Sequence, residues 1–375
     1  MVNHLGNWKN GELGDFVTLK RGFDLPQQKR EDGQVPIFSS SGITGTHSTA
    51  MVKAPGVITG RYGTIGEVFY AAKDFWPLNT TLFVEDFHGN DAKFIYYFLK
   101  TLEWSKFTSA SAVPGINRNT VHKEIVSLPD IETQRRIAST LSMFDEKIKI
   151  NTEINDNLEQ QAQSYFQELF VDNADPEWAI GTISDLGTVV GGSTPSKAKP
   201  EYYTESGIAW ITPKDLSINK SKFVSHGEND ITELGLKNSS AAIMPEGTVL
   251  FSSRAPIGYI AIAAGEVTTN QGFKSVVPKP EIGTPFVYFF LKNTLPVIEG
   301  MASGSTFKEV SGSTMKNVPA VIPDAETLAK FSDFCAPIFA QQRILEEQNQ
   351  SLATLRDNLL PKLMSGEIDV SAVQL

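Results

Sequence analysis

Apolar residues recur at alternating steps of four and three in two stretches, residues 130–172 and 324–375. Each stretch follows a proline, and an offset of 194 residues maps one register onto the other. The seam positions are Ile137, Leu141, Phe144, Ile148, Leu158, Ala162, Tyr165 and Leu169 in the first stretch and Phe331, Cys335, Ile338, Leu345, Leu352, Leu359 and Leu363 in the second. This heptad spacing predicts two long helices that pack lengthwise on each other, with Asp130 and Asp324 as their N-caps.

The residues around these helices form two modules with the same order of signals, residues 1–129 and 173–323. In each, strand patterns flank a glycine-rich or proline-containing loop with an arginine, and a buried helix follows. The offset between the modules is 170 at Trp8 and Trp178 but 193 at Arg61 and Arg254. Module two has therefore gained about two dozen residues, which the sequence places around positions 194–239.

These patterns predict an α+β chain ordered module, helix, module, helix, with boundaries at residues 129, 172 and 323. A helix of about 40 residues is roughly 60 Å long, which is too far for a compact module to bridge. Antiparallel pairing removes that difficulty. The predicted fold is two similar β-rich domains separated by a pair of long antiparallel coiled-coil helices, with a pseudo-twofold internal repeat.

Polar and helix-breaking residues mark particular points on the two seams. Asn155 and Asn349 lie 194 residues apart near the middle of the two helices. A buried asparagine can fix register and partner; alternatively, the seam opens there and both side chains face solvent. Pro361 is expected to kink or end the second helix, Gly366 marks a stop, and residues 367–370 are expected to add a short strand.

The net charge of −10 is concentrated on the predicted helices. They carry 4 Lys+Arg against 9 Asp+Glu and 4 against 8, whereas the modules carry 13 against 12 and 12 against 14. DNA binding is therefore not excluded, although the free chain is expected to bind DNA weakly. The single cysteine, the lack of a secretory signal pattern and the lack of a bilayer-length apolar run predict a cytoplasmic protein.

Signatures of catalysis and metal binding are missing from the sequence. There is no G-x-x-x-x-G-K-[ST] phosphate loop, no Asn/Asp-Pro-Pro-Tyr tetrapeptide of amino-methyltransferases and no nuclease carboxylate cluster followed by lysine. The five histidines are scattered and form no ligand pair. We therefore expect no catalytic residue, metal or cofactor on this chain.

Three stretches resemble the specificity subunits of Type I restriction–modification systems, and the resemblance extends over the whole chain. They are residues 60–66 (GRYGTIG), 129–138 (PDIETQRRIA) and 355–368 (LRDNLLPKLMSGEI). The resemblance implies a non-catalytic DNA reader. Residues 1–129 and 173–323 would be target-recognition domains, each reading half of a split, asymmetric double-stranded DNA target, and residues 130–172 and 324–375 would be helical spacers.

The same resemblance implies the partners. The helices would hold two methyltransferase (modification) subunits, which would bring S-adenosylmethionine, and restriction/translocase subunits that use ATP and Mg would complete the nuclease. Two alternatives stay open. The chain could serve a system whose nuclease is fused to its methyltransferase, or it could be a scaffold or decoy that binds proteins without reading DNA.

Sequence readout needs polar and basic side chains on loops that can enter a groove. Arg61 and Arg254 are the strongest candidates because they recur in matching loops, and each would read a guanine or hold a phosphate. Asn79 and Asn270 are expected to hold turns. The candidate DNA-binding residues are Lys20, Arg21, Ser40, Thr44, Arg61, Tyr62 and Arg118 in module one and Thr194, Ser196, Lys197, Lys199, Lys214, Ser253, Arg254, Ser305 and Lys308 in module two.

Overall fold

The computed structural model describes residues 8–108, 114–304 and 308–370, and the chain divides into two compact units. Unit 1 comprises Met1–Ile148 and Gln350–Leu375, and unit 2 comprises Lys149–Asn349. Each unit therefore contains one β-rich module and part of each long helix. The boundaries predicted from the sequence, at residues 129, 172 and 323, fall between secondary-structure elements. The division of the chain into domains at these residues stays a prediction.

In the residues that the structure describes, module one is built from short strands and three helices. The strands are β1 (Lys9–Glu12), β2 (Thr18–Arg21), β3 (Val35–Ser39), β4 (Gly42–His47), β5 (Gly56–Gly60), β6 (Val68–Ala71), β7 (Trp76–Pro77), β8 (Thr81–Asp86) and β9 (Ile125–Leu128). The helices are α1 (Leu13–Phe16), α2 (Ala92–Lys100) and α3 (Arg118–His122), with 3-10 turns at Gln27–Lys29 and Trp104–Phe107. The first long helix, α4 (Ile131–Gln167), follows and ends in a π-helical turn, Glu168–Asp172.

Module two repeats this plan with additional elements. Its strands are β10 (Ala179–Thr182), β11 (Gly187–Gly191), β12 (Tyr203–Thr204), β13 (Ile208–Ile211), β14 (Phe223–Val224), β15 (Asn229–Ile231), β16 (Val249–Ser253), β17 (Ile257–Ala263), β18 (Thr268–Thr269), β19 (Lys274–Pro278) and β20 (Pro319–Ile322). The helices are α5 (Ile183–Leu186), α6 (Pro213–Ile218), α7 (Glu233–Lys237), α8 (Thr284–Met301) and α9 (Gly312–Lys316), with a 3-10 turn at Pro200–Tyr202. The second long helix is α10 (Ala325–Met364).

Strand order confirms the internal repeat. The main sheet of module one runs β2-β8-β5-β6, and that of module two runs β11-β19-β16-β17 with β14 added at the edge. A second sheet pairs β3 with β7 in parallel in module one and β13 with β18 in parallel in module two. The additional elements β12, α6, β14, β15 and α7 lie between β11 and β16, where the sequence predicted the insertion.

The two long helices form as the heptad pattern predicts. The side chains of Asp130 and Asp324 each accept a hydrogen bond of 2.9 Å from the backbone N–H three residues later, so both act as N-caps. In unit 1, Ile137 and Leu141 are buried in the same core as Leu363. These apolar faces hold both helices against module one, since most of the stability of a helix in a protein comes from packing of its apolar face.

Contacts inside unit 2 show that the helices are antiparallel, which confirms the predicted pairing. Asn151 of α4 pairs with Asn349 of α10, and further along α4 the ring of Tyr165 packs 6.0 Å from that of Phe331. The partner numbers fall in α10 as the residue numbers rise in α4. In unit 1, the Asp145 carboxylate of α4 pairs with Arg356 of α10 at 2.6 Å.

Asn155 and Asn349 are both half-buried, and each contacts the opposite helix. Asn349 accepts a hydrogen bond of 2.9 Å from the fully buried Asn151, and not from Asn155. Asn155 is half-buried, and its backbone carbonyl accepts from Gln342 at 3.2 Å. The two asparagines are equivalent in the sequence repeat, but in the antiparallel pair they lie at different heights along the axis. The residue opposite Asn349 is therefore Asn151 and not Asn155.

The C-terminal expectations are partly confirmed. Pro361 neither ends nor interrupts α10, which continues to Met364 and places the Ser365 N–H on the Pro361 carbonyl at 3.0 Å. Gly366 adopts φ +73°, the left-handed conformation that terminates helices. Residues 367–370 form no strand, and the Ile368 N–H reaches the Lys362 carbonyl instead, so the expected short strand is wrong.

A buried polar cluster joins module two to both helices within unit 2. The side chain of Lys222, just before β14, is 6% exposed and donates to Glu159 of α4 at 2.8 Å. It also donates to Gln342 of α10 at 2.9 Å. Glu159 accepts a further bond from Lys292 of α8, and Glu346 of α10 accepts from the Lys222 backbone N–H at 2.8 Å. The inserted segment is therefore fastened to the helices by charge.

The ionisation of this cluster follows from burial and pairing. The Lys222 ammonium lies 3.5 Å from the centre of the Phe339 ring. Burial lowers the pKa of Lys222 to about 8, and the attraction of Glu159 limits that shift. Burial alone would raise the pKa of Glu159, but Lys222 and Lys292 bring it below its ordinary value.

Candidate nucleic-acid interface

Module one contains a basic cleft of about 580 Å³ between the ends of β2 and β5 and the start of α3. Five of the seven candidates in this module line it. The polar lining residues are Lys20, Arg21, Arg61, Tyr62, Asn117, Arg118 and Asn119. We call this site cleft one. Its lining contains four cationic side chains and no carboxylate.

Arg61 is held in place within cleft one by the protein itself. Its Nε donates to the Ile116 backbone carbonyl at 3.2 Å, and its guanidinium lies 4.4 Å from the centre of the Tyr62 ring. Arg61 forms no ion pair with any residue that the structure describes. The two terminal nitrogens of a guanidinium fixed in this way remain available for a bidentate anion or base edge.

The Tyr62 ring fits because position 115 is glycine. A Cβ on Gly115 would lie 2.1 Å from Tyr62 Cε1, which is closer than real atoms approach. Tyr62 and Gly115 also form a backbone bridge. The stack beneath Arg61 therefore depends on the missing side chain at residue 115.

The other cations of cleft one are tied more loosely. Lys20 pairs with Glu85, and Arg21 pairs with Asp24 at 3.6 Å. Arg118 Nη1 lies 3.5 Å from the Leu19 carbonyl. The ion-paired side chains of Lys20 and Arg21 are 40% and 52% exposed, and such pairs contribute little and exchange readily for another anion.

Module two has a cleft of about 470 Å³ at the corresponding ends of β11, β16 and β18, which we call cleft two. Four candidates line it, together with residues of the inserted segment. The polar lining residues are Thr194, Lys197, Thr212, Lys214, Asp215, Glu228, Asn229, Arg254, Asn270 and Gln271. Lys214 pairs with Glu228 at 2.6 Å, so cleft two carries both signs of charge where cleft one carries positive charge.

Arg254 differs from Arg61 in its partners. Arg254 Nη1 lies 3.5 Å from the Glu309 carboxylate, which also approaches Lys274 at 3.8 Å. Arg254, Glu309 and Lys308 also line an adjoining cavity of about 720 Å³. The position of Glu309 in module two corresponds to Gly115 in module one, 194 residues earlier. One arginine therefore rests on an aromatic ring and the other on a carboxylate.

Ser253 cannot contact a ligand, so its prediction is corrected. It is fully buried as the last residue of β16, and its hydroxyl donates to the Gly272 carbonyl at 3.1 Å. Ser196 and Lys199 are exposed but do not line cleft two, and Lys199 lies 5.2 Å from the Tyr202 ring centre. Ser305 lies outside the described residues.

The remaining candidates in module one, Ser40 and Thr44, are not among the lining residues of cleft one. Ser40 is half-buried, and its Oγ lies 3.3 Å from where a Cβ of Gly63 would stand. Thr44 is exposed on β4. The expectation for Asn270 is confirmed, because its side chain accepts from the Gly272 N–H at 2.8 Å and holds the turn. Asn79 donates to Asp24.

Three residues that line the two clefts are not among the candidates predicted from the sequence: Asn119, Asn229 and Gln271. Asn119 directly follows the candidate Arg118, and this adjacency is a signal in the sequence that points to it. Asn229 lies in the insertion, which has no counterpart in module one, so nothing in the repeat pointed to it. No group of three or more His, Cys, Asp or Glu within the described ranges is arranged to hold a metal ion. Across those same ranges, no helix is both long and apolar enough to cross a membrane.

The two modules share one topology, and each has a polar cleft at corresponding strand ends. Each also packs on the antiparallel helices. The chain therefore carries duplicated recognition domains. Residues 6–160 and 176–355 match the Type I restriction modification DNA specificity domain. The chain therefore belongs to this family and carries two copies of its domain.

Relatives with curated descriptions agree with this assignment. The Type I restriction enzyme MjaIX specificity subunit of Methanocaldococcus jannaschii is 39% identical over 194 residues, 49% of this chain and 45% of that protein. The alignment thus spans less than half of that relative. The putative type I specificity subunit S.MpnORF638P of Mycoplasma pneumoniae is 31% identical over 385 residues, 96% of this chain and 97% of that one.

The fold has a counterpart among solved structures. The crystal structure of the Type-I restriction-modification system S subunit from M. genitalium superposes with a TM-score of 0.64. It is 19% identical and covers 97% of both chains. At this identity the similarity shows the shared fold.

Proposed function

We propose that this chain is the DNA-recognition subunit of a Type I restriction–modification complex, in which each module reads one half of a bipartite, asymmetric target. The observation that carries the proposal is the pair of clefts at corresponding strand ends of a duplicated sheet, each containing an arginine at the matching position. The differing linings of the two clefts fit two different half-sites.

Arg61 and Arg254 are suited to hold the DNA backbone. They follow equivalent strands, β5 and β16, while the other polar residues of the two clefts differ. Two half-sites of different sequence have the phosphodiester backbone in common, so a residue that recurs in both modules fits phosphate. The residues that differ between the clefts would then read the bases.

The long helices are suited to bind protein subunits. Both carry exposed apolar side chains at positions where a helix that faces only solvent would carry polar ones. These residues are Met143, Ile150 and Ile154 on α4 and Phe334, Ile344 and Leu355 on α10. On this proposal the helices hold two methyltransferase subunits that use S-adenosylmethionine, and restriction subunits that use ATP and Mg complete the assembly.

Methylome sequencing of a host that carries the intact system tests the proposed function. We expect a bipartite methylated motif that disappears when this chain is deleted and returns when it is restored. A reconstituted complex that binds DNA with no base preference would instead support the scaffold alternative.

The free chain is expected to bind DNA much more weakly than the assembled complex. The helices carry most of the net negative charge, and cleft one offers a cluster of four cations for phosphates. Titrations of one labelled duplex with the chain alone and with the chain plus its methyltransferase, at the same salt concentration, make the comparison. Nanomolar, sequence-specific binding by the free chain would contradict this expectation.

Glu309→Gln is expected to tighten DNA binding by the complex. The carboxylate occupies Arg254, whose side chain is 38% exposed, and its removal frees that cation for phosphate. Exposed pairs contribute about 0.2–1 kcal/mol, so the affinity should rise by roughly 1.5- to 5-fold, with a steeper salt dependence. Titrations at two salt concentrations measure both quantities. Glu299→Gln, a carboxylate in the same cavity, is the matched control, and equal effects of the two variants would refute a specific role for Glu309.

A further inference from the structure

The short helix that lines cleft one, α3, has an equivalent in module two, α9, which is also five residues long and capped by a side chain but carries different residues. In module one, Asn117 caps α3 by accepting from the Asn119 N–H at 3.0 Å. In module two, Ser311 caps α9 by accepting from the Thr314 N–H at 2.9 Å. The two caps lie 194 residues apart, so the helices are equivalent.

The first turn of this helix carries long polar side chains in one module alone. Module one has Arg118-Asn119, where module two has Gly312-Ser313. Arg118 and Asn119 line cleft one, whereas Gly312 and Ser313 do not line cleft two. The helix and its N-cap are thus kept in both modules, whereas the side chains of its first turn differ. This is expected for a position that distinguishes two target sequences.

Within this turn, Asn119 is the side chain free to read a base. The Asn117 oxygen is used by the cap, and the Arg118 guanidinium lies 3.5 Å from the Leu19 carbonyl. Asn119 is exposed, and its carboxamide makes no hydrogen bond to any of the residues described. A free carboxamide presents one donor side and one acceptor side, which matches N7 and N6 of adenine in the major groove.

We infer that Asn119 is a specificity-determining residue of module one and reads an adenine in its half-site. This inference rests on the proposed function. Arg61, fixed in the same cleft, holds the backbone and brings the base edges within reach of Asn119. In module two the role passes to side chains of the inserted segment that line cleft two, because the first turn of α9 carries only Gly312 and Ser313 at the equivalent positions.

The test uses the reconstituted complex and a set of duplexes in which each base pair of both half-sites is changed in turn. Wild-type complex is expected to discriminate at every specified position. Asn119→Ala should lose roughly 5- to 150-fold of discrimination at one adenine of one half-site and keep all other preferences. Ser313→Ala, the matched variant in module two, should leave both half-sites unchanged.

Three outcomes would overturn the inference and leave the proposed function standing. Asn119→Ala could keep every preference of the wild type, or it could weaken binding equally for all duplexes, which would indicate a phosphate contact. The relaxed position could also be a G·C pair. A wild-type complex with no base preference at all would overturn the proposed function and this inference with it. Asn119 is exposed, so Asn119→Ala is expected to leave the fold intact. Unchanged hydrogen exchange in unit 1 would verify this.

Discussion

Glu159→Gln is expected to destabilise unit 2 by about 3 kcal/mol, the lower end of the roughly 3–5 kcal/mol that follows when one partner of a buried pair is removed. The substitution keeps the shape of the side chain but leaves the ammonium of Lys222, which is 6% exposed, without an anion. Lys222 would retain Gln342 at 2.9 Å and the Phe339 ring, which offset part of the loss.

Lys222→Met provides the comparison for this substitution. It removes the buried cation, while Glu159 keeps its bond from Lys292. The double variant Glu159→Gln with Lys222→Met should be more stable than Glu159→Gln alone, because no buried charge is then left unpaired. Urea denaturation followed by hydrogen exchange reports units 1 and 2 separately. Additive effects of the two changes would show that the pair does not act as a unit.

The same lysine makes stability depend on pH. The pKa of Lys222 is about 8 in the folded chain and near the ordinary 10.5 when unfolded. Between these values the unfolded chain binds the additional proton, so the free energy of unfolding rises with pH from about 8 to about 10.5. Lys222→Met should abolish this rise. A rise that survives the substitution must come from another group.

Arg61→Ala is expected to lower the affinity of the assembled complex for DNA by roughly 10- to 150-fold. This range corresponds to losing a charge-assisted hydrogen bond of about 1.5–3 kcal/mol. If Arg61 holds phosphate, the loss is uniform across base changes, and the slope of log affinity against log salt shrinks by about 0.9. Titrations of specific and altered duplexes at several salt concentrations give both results.

Arg61→Lys separates charge from positioning. Lysine keeps the positive charge but lacks the Nε bond to the Ile116 carbonyl and the planar stack on Tyr62, so it should recover only part of the affinity. Arg254→Ala should cost less than Arg61→Ala, since Arg254 must first leave Glu309. Loss of preference at a single G·C pair, with the salt slope unchanged, would assign Arg61 to guanine readout instead.

The features that the sequence predicted best are those repeated along the chain. The heptad seams identified α4 and α10 because a helix repeats its environment every three to four residues. The match between Arg61 and Arg254 located both clefts, since the loops follow equivalent strands. Repetition could not show which residues meet in space, so Asn349 was not matched with its partner Asn151.

Features that depend on one local detail were missed. Ser253 resembles a loop serine in the sequence, but it is the last residue of β16, and its hydroxyl donates inward to the Gly272 carbonyl. Lys222 lies in the insertion, and an isolated lysine in a polar stretch is ordinarily a solvated side chain. Its burial depends on Glu159 and Gln342, which are distant in sequence and carry no mark of that pairing.

The Lys222 cluster has a consequence for how such chains exchange target preferences. A crossover at residues 172 and 323 would transplant module two with Lys222 but leave Glu159 and Gln342 behind, stranding a buried cation in the hybrid. Crossovers between residues 148 and 149 and between 349 and 350 carry the whole cluster together, because they follow the division into compact units. The segment that must be exchanged as one piece therefore includes the helical residues beneath module two. We expect hybrids recombined within the helices to fold, and hybrids recombined at the module edges to be destabilised.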